Sequence, residues 1–471
     1  LLYNGLDALY EYRLLVQQLK ELRSKWLQDP PILDIVMDGL EGLVEAEVNG
    51  IHIDLPYYTS AENKLTLQVD TLTSELVNSP EARLFEQQVG RELKLGSSKD
   101  LIILLYEILG LRSVKTTVSG RPSVDEDALR QINNPFVDKL LRLRKFLKLR
   151  DTYLAQFTRE QFSGKIHPSF DLHTAETGRG SSSNPNFQNI PNRDVDAREV
   201  TRRGIVAPPG FFFSEVDYSS IEVRIMACYS KDPALIRYIE DPTTDMHRDQ
   251  AMDIFILSRD EVIKPIRHIG KNGFVFPQFY GDWYKACAKN CWEMAEACSL
   301  ADGTLLRRHL SKKGIGRLSQ FEEHMKGVEK RFWERLHYTH EWRQKVVQDY
   351  LKTGYVENFF GFRRHGYLSR NQVMNSPIQG TAFQCLLWAY PKVMWTFRRC
   401  KMHSRLIGQI HDSICSYCHR NEKAQFKDIA RTIMCDKLRA AFDWIIVPLE
   451  VEFSFSPDGG SWADCKGESD E

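Results

Sequence analysis

Apolar residues recur at helical spacing from residue 7 to 28, where Leu9, Leu14, Leu15, Leu19 and Leu22 form a stripe ending at Asp29-Pro30-Pro31. Proline cannot donate the amide hydrogen bond of a helix interior, so a boundary is expected there. Residues 32–48 form a second amphipathic stretch, stopped by Asn49-Gly50 and followed by a short strand, Ile51-His52-Ile53. From 57 to about 160 the period stays mostly helical, interrupted by the polar segment Thr116–Pro122. His173–Arg193, rich in Ser and Asn, predicts a long polar loop. The period then changes. Phe211-Phe212-Phe213-Ser214-Glu215-Val216-Asp217 is aromatic and β-branched and predicts a strand, with a helix from Ile221 to Tyr229. Residues 231–350 and Asn375–Arg398 are again helical in pattern. Leu406–Ile410 and Ile414–Tyr417 flank His411-Asp412-Ser413 and predict a tight hairpin with an aspartate at its turn. A helix near 426–443 and a strand near 447–455 follow. Strands early and late, with helices inserted between them, imply an α+β core carrying helical subdomains.

A chain of 471 residues is long enough for about three domains of ~150 residues. Its 42% hydrophobic and 27% charged content excludes disordered and fibrous classes. No apolar run approaches the ~20 residues of a membrane span; the densest, Leu101 to Tyr106, stops at Glu107. The first residue is Leu1, and Leu1–Tyr12 has neither a basic flank nor a cleavage-site pattern, so the chain reads as a fragment without a signal peptide. Ten cysteines are too few for a disulfide scaffold. Cys287-x3-Cys291 and Cys415-x2-Cys418 lack a second pair or a nearby His, so free thiols in a reducing compartment are expected over zinc.

Balanced charge, 63 basic against 63 acidic residues, argues against a uniformly basic coat but allows a local basic groove. One candidate is Lys139–Arg150, which carries Lys139, Arg142, Arg144, Lys145, Lys148 and Arg150 and no acid. It is either a solvated helix face or a helix laid along a phosphate backbone.

Two aspartates carry the strongest chemical signal. Asp217 closes an apolar strand just before a helix, within Asp217-Tyr218-Ser219-Ser220-Ile221-Glu222-Val223-Arg224. Asp412, in Ile410-His411-Asp412, stands where another apolar strand meets its turn. Such residues serve as an N-cap or a turn aspartate, or they hold a hard cation. Magnesium usually takes one or two carboxylates, with water and substrate phosphate completing its shell. Two aspartates brought together would suit two ions about 4 Å apart. Their separation in sequence does not by itself bring them together.

These segments resemble motifs A and C of the family A, DNA polymerase I-like polymerases, and further motifs fall in the family's order. Thr177-Gly178-Arg179 through Ser181-Ser182-Ser183-Asn184-Pro185-Asn186-Phe187-Gln188-Asn189-Ile190-Pro191 resembles the template–primer loop. Asp245-Met246-His247 resembles a short fingers motif. Gly354-Tyr355-Val356, Phe360-Gly361-Phe362-Arg363-Arg364 and Asn375-Ser376-Pro377-Ile378-Gln379-Gly380-Thr381-Ala382 match the stretch before motif C. The resemblance runs from about residue 31 to Lys466.

It implies a right-hand polymerase fold with an antiparallel palm sheet and helical thumb and fingers. Residues 31–55 would lead into the palm, 56–160 form the thumb, 161–230 the palm with motif A, 231–350 the fingers and 351–471 the palm with motif C. It further implies a DNA-directed DNA polymerase that adds dNTPs to a primer 3′-hydroxyl. Asp217 and Asp412 would bind two Mg2+ ions, and Arg267, Lys271 and His247 would neutralise the triphosphate. Phe276 and Tyr280 would pack near the sugar and the templating base. Arg179, Asn186, Gln188 and Gln379, with Arg142 and Lys145 of the basic helix, would contact primer–template DNA. Such a chain is expected in the cytoplasm of a bacterial or phage-infected cell, an organelle being the other setting, and without a membrane. Accessory replication proteins are not legible in the sequence.

This sequence departs from the family in two places and adds a remnant in a third. In the fingers motif, Arg267-x3-Lys271 fits, but one extra residue precedes Phe276 and Pro277 replaces a glycine. One insertion rotates a helix by about 100°, so a π-bulge near Asn272-Gly273 is expected and the helix should be irregular between Gly270 and Pro277. These departures favour a phage-like branch. In motif C, Ser413 replaces the glutamate of most members and resembles the single-subunit RNA polymerases. Against that, Glu222 stands where the DNA enzymes carry the glutamate that blocks a 2′-hydroxyl. The DNA reading is therefore preferred over an RNA polymerase-like enzyme. A catalytically inactive DNA-binding relative is the third reading. Finally, Tyr3-Asn4-Gly5-Leu6-Asp7 resembles the last motif of a 3′–5′ exonuclease domain. Residues 1–30 would be its C-terminal remnant, without proofreading activity.

Overall fold

Period-two alternation gives Phe211–Tyr218 one face of Ser214, Val216 and Tyr218, all buried, and another with Phe213, Glu215 and Asp217. In the computed structural model, which describes residues 2–25, 32–113, 115–117, 120–191 and 194–468, this strand (β1) is central to a five-stranded sheet. The others are β2 (Arg405–Ile410), β3 (Ser413–His419), β4 (Val451–Phe455) and β5 (Lys466–Glu468). Their order is β5-β4-β1-β3-β2, and every neighbouring pair is antiparallel. Strand β3 is buried from Ser413 to Cys418, and its hydroxyls are satisfied internally, with Ser214 Oγ and Ser416 Oγ 2.8 Å apart.

The sheet is backed by a helix of 30 residues, Arg370–Arg399, opened by a capping box. There the Ser369 Oγ accepts from the Gln372 amide (3.3 Å) and Gln372 Oε1 from the Ser369 amide (2.8 Å). Helix Ile32–Asn49 lies against it, close enough that a Cβ at Gly39 would run into Leu387. Between β1 and β2 the chain inserts helices including Ile221–Ser230, Met246–Phe255, Leu318–Arg335 and His337–Thr353. Their apolar stripes (Phe255, Phe274, Phe321, Phe332) join the sheet's core. A second, separate core lies within residues 69–143, where Val69, Leu72 and Leu76 of helix Leu55–Val77 meet Val137, Leu140 and Leu143 of helix Pro135–Leu147.

The helices and strands expected from the pattern are present, with local corrections. Ser181–Ser183, within the expected polar loop, forms a strand against Ser169–Asp171 because its alternate hydroxyls bond Asp171. Ser413 belongs to β3 and not to the turn, which is only His411-Asp412, with His411 at φ 53°. The last long strand begins at Val451. The first helix is Leu2–Lys25, while the Pro30-Pro31 boundary and the Tyr3 side chain lie outside what is described. Cys287, Cys291, Cys415 and Cys418 are free and buried. No described helix is long and apolar enough to cross a membrane.

Candidate active site

The sheet brings the two aspartates together. Asp217, next to last in β1, pairs in register with Ser413, the first residue of β3, and Asp412 immediately precedes it in the turn. The Tyr218 amide reaches the Asp412 carbonyl at 3.4 Å. Asp217 is not an N-cap: the helix Ile221–Ser230 starts after Ser220, at φ 53°, without a side-chain cap. Burial raises the Asp217 carboxyl well above the usual carboxylate range, and the charges of Asp412, Glu215 and Glu452 push the same way, while Lys271 opposes them. Asp412 is raised chiefly by burial and by Glu222. Among the described residues, neither aspartate has a Lys or Arg partner within 4.0 Å. Two carboxylate oxygen donors in mutual repulsion fit hard divalent cations such as Mg2+. They do not make a closed cage, since no group of three His, Cys, Asp or Glu among the described residues could hold an ion.

Two of the triphosphate candidates, Arg267 and Lys271, lie on one irregular helix. It runs α-helical over Lys264–Ile269, widens to a π-turn over Gly270–Val275 and returns to α over Phe276–Tyr280. The inserted residue is absorbed there. The extra turn restores phase, so the Lys271 ammonium lies 5.1 Å from the Phe276 ring centroid and faces Asp217 closely enough to lower its pKa. Gly270 is needed for close approach, because a Cβ would sit 2.6 Å from the His247 carbonyl. Arg267 Nε donates to Asp245 Oδ2 at 2.6 Å, and Asp245 also caps the helix that carries His247. His247 is buried, its Nδ1 has no hydrogen-bond partner among the described residues, and burial with the Arg267 and Lys271 charges drops its pKa to about 4. Burial and the two neighbouring cations thus favour the uncharged ring in the unliganded chain, and Arg267 and Lys271 are the two basic side chains beside it.

Glu222 is gripped from two sides, by Arg179 Nη2 and by the Tyr280 hydroxyl. With Phe276, Tyr280, Asn375 and Gln379 it lines one pocket. Asn375 Nδ2 donates to the Tyr280 carbonyl at 2.9 Å and fixes the end of that helix.

The remaining candidates are largely engaged within the fold. Asn186 Oδ1 accepts from Ser182 Oγ (3.2 Å) and the Asn189 amide (3.1 Å), closing its own loop. Gln188 is buried and bonds Gln409, whose Nε2 reaches the His411 carbonyl at 2.6 Å, so it braces the Asp412 turn. The basic helix is not an uncompensated stripe. Lys139 pairs with Glu75 (2.7 Å), Lys145 with Asp194 (2.8 Å) and Asp196 (3.3 Å), and Arg150 with Asp151 (2.6 Å). Arg144 donates to the Val124 carbonyl at 2.6 Å, while Arg142 is exposed. Sequence reasoning quoted Asp245 only as part of its motif and missed Gln409 and Glu215; for Glu215 the signal was present, since it shares a strand face with Asp217.

The sequence model described as DNA polymerase family A matches residues 63–302 and 309–464. The chain is 27% identical over 475 residues to DNA polymerase I of Chloroflexus aurantiacus, covering 97% of this chain and 46% of that protein. It is 28% identical over 446 residues to the thermostable DNA polymerase I of Thermus aquaticus, covering 90% and 47%. The chain thus spans about half the length of these relatives. It is also similar to the POL domain of Pol1 from M. smegmatis in complex with DNA primer-template and dNTP, with TM-score 0.72 and 25% identity over 94% of this chain and 71% of that one.

Proposed function

Since the chain belongs to DNA polymerase family A, we propose that it is a DNA-directed DNA polymerase, extending a primer 3′-hydroxyl with dNTPs on a template strand. The observation that carries this reading is the Asp217–Asp412 pair, two half-buried carboxylates from distant segments that meet at one sheet end with no Lys or Arg ion-pair partner among the described residues. Two Mg2+ ions bound there would lower the pKa of the attacking hydroxyl and stabilise the leaving oxygen. Arg267 and Lys271 bind the triphosphate, which must compete with Asp245 for the Arg267 guanidinium. His247 offers the phosphates a neutral hydrogen-bonding ring. Phe276 and Tyr280 pack against sugar and templating base, and Glu222, held by Arg179 and Tyr280, closes the space a 2′-hydroxyl would need.

Arg179 and Gln379 reach the primer–template directly, Asn186 and Gln188 shape the loop beneath it, and Arg142 and Lys145 meet the duplex from the thumb. The separate core within 69–143 supports a thumb over 56–160; residues 31–55, 161–230 and 351–471 make the palm and 231–350 the fingers. The likeness of Tyr3-Asn4-Gly5-Leu6-Asp7 to the last motif of a 3′–5′ exonuclease domain supports reading residues 1–30 as exonuclease-like. The one-residue insertion and Pro277 support a phage-like branch, working in the cytoplasm of an infected or bacterial cell. Primer extension with Mg2+, comparing dNTPs with rNTPs, tests the reading. Extension with dNTPs is expected, and equal use of rNTPs would favour an RNA polymerase-like enzyme. No extension with either would favour the inactive relative.

A further inference from the structure

Ser413 leaves motif C one carboxylate short of the family pattern, yet the metal neighbourhood holds a carboxylate from another strand. Glu215 lies two residues before Asp217 on β1, so the pleat sends both side chains to one face. Asp217 is directly opposite Ser413 and Glu215 opposite Cys415, which makes Ser413 and Glu215 diagonal neighbours. Ser413 Oγ lies 3.1 Å from Glu215 Oε1 and 3.0 Å from the Ile410 carbonyl, its single proton serving one or the other. The indole N–H of Trp462 donates to Glu215 Oε2 at 3.2 Å. Trp462 is buried and stacked between Phe213 (5.2 Å) and Phe187 (5.5 Å), so this donor is rigid.

We propose that Glu215 supplies from β1 the acidic group that most family members carry after His-Asp in motif C, and that Ser413 leaves space for it and orients it. A glutamate at both positions would set two carboxylates diagonally on one face beside Asp217, so one excludes the other. Glu215 is a positioning residue: it acts on the ion shell through Asp217, Asp412 and bound water, as outer partners of metal ligands do. The inference rests on the polymerase reading. The competing role is structural. The Arg202 guanidinium stacks 3.9 Å above the Trp462 ring, and Glu215 could serve only that cation and that indole.

Glu215→Gln separates the roles, because it keeps an acceptor for Trp462 and lets Ser413 donate to Ile410 while accepting from the new amide. The probe is Mn2+, titrated by electron paramagnetic resonance into the chain bound to dideoxy-terminated primer–template, with melting midpoints measured alongside. Glu215→Gln should weaken Mn2+ binding about tenfold, raise the Mg2+ needed for half-maximal incorporation to match, and leave the melting midpoint unchanged. Ser413→Glu alone should lower the midpoint, and the double exchange Glu215→Ser with Ser413→Glu should recover most of the Mn2+ affinity. Wild-type Mn2+ affinity in Glu215→Gln would overturn the inference. Should Glu215→Gln fail to fold, the double exchange decides, and a folded double exchange without recovery overturns it equally. A wild-type chain that binds no Mn2+, or that is unaffected by Asp412→Asn, would sink the polymerase reading itself.

Discussion

The Asp217–Asp412 turn and the helix Pro135–Leu147 are both dense in one sign of charge, and the fold treats them oppositely. On the helix, counter-charges arrive from elsewhere: Glu75 for Lys139, Asp194 and Asp196 for Lys145. At the turn, the sheet register forces like charges together in a half-buried place, and the cations Lys271 and Arg179 only moderate the repulsion. A fold normally pairs or hydrates its charges. Where it holds two of one sign together, a cationic ligand is the complement that the proposed function supplies. A charge run read from sequence thus says less about the local field than the register that sets charges side by side.

Breaking the turn should give the largest effect. Asp412→Ala is expected to cut nucleotide addition by about a thousandfold or more, with DNA binding largely intact, read by single-turnover extension and a gel-shift titration. The two basic segments sharpen the contrast. Lys271→Ala should cost on the order of a hundredfold in incorporation, whereas Lys145→Ala, on a partly exposed ion pair, should cost at most about 1 kcal/mol of stability and a few-fold in DNA affinity. A large activity loss from Lys145→Ala would erase the distinction. Glu222→Ala should relax the preference for dNTPs over rNTPs by about tenfold or more, since a barrier of ~1.4 kcal/mol already gives tenfold. Arg142→Ala should have the smallest effect, lowering the salt dependence of DNA binding by about one phosphate contact.

How much could be read in advance follows from which interactions are local. The strand Phe211–Tyr218, the hairpin around Asp412 and the helix Arg370–Arg399 were legible because period and turn chemistry act within a few residues. The π-turn over Gly270–Val275 was legible for the same reason, since a one-residue insertion shifts helical phase. The meeting of Asp217 with Asp412 was not legible from spacing, because it depends on strand pairing across the whole helical insertion; only the motif order pointed to it. The neutralisation of Lys139 and Lys145 depends on acids on other elements, so the run looked bare in sequence. Glu215 was overlooked because an acid in a strand reads as its solvent face, whereas here that face receives Ser413 and Trp462.

Stability against pH tests the uncompensated pair most directly. Asp217 and Asp412 have folded pKa values raised, to about 8 and about 6, above the ordinary 3.8. The folded chain therefore holds protons that the unfolded chain has released, and this stabilisation, full below pH 3.8, is lost as pH rises through the raised values. Melting of the metal-free chain from pH 5 to 8 should show a falling midpoint, a much flatter profile for Asp412→Asn, and a Mg2+-induced rise that is larger at pH 8 than at pH 5. A wild-type profile that matches Asp412→Asn and does not respond to Mg2+ would contradict the claim that the fold leaves these two charges for a cation.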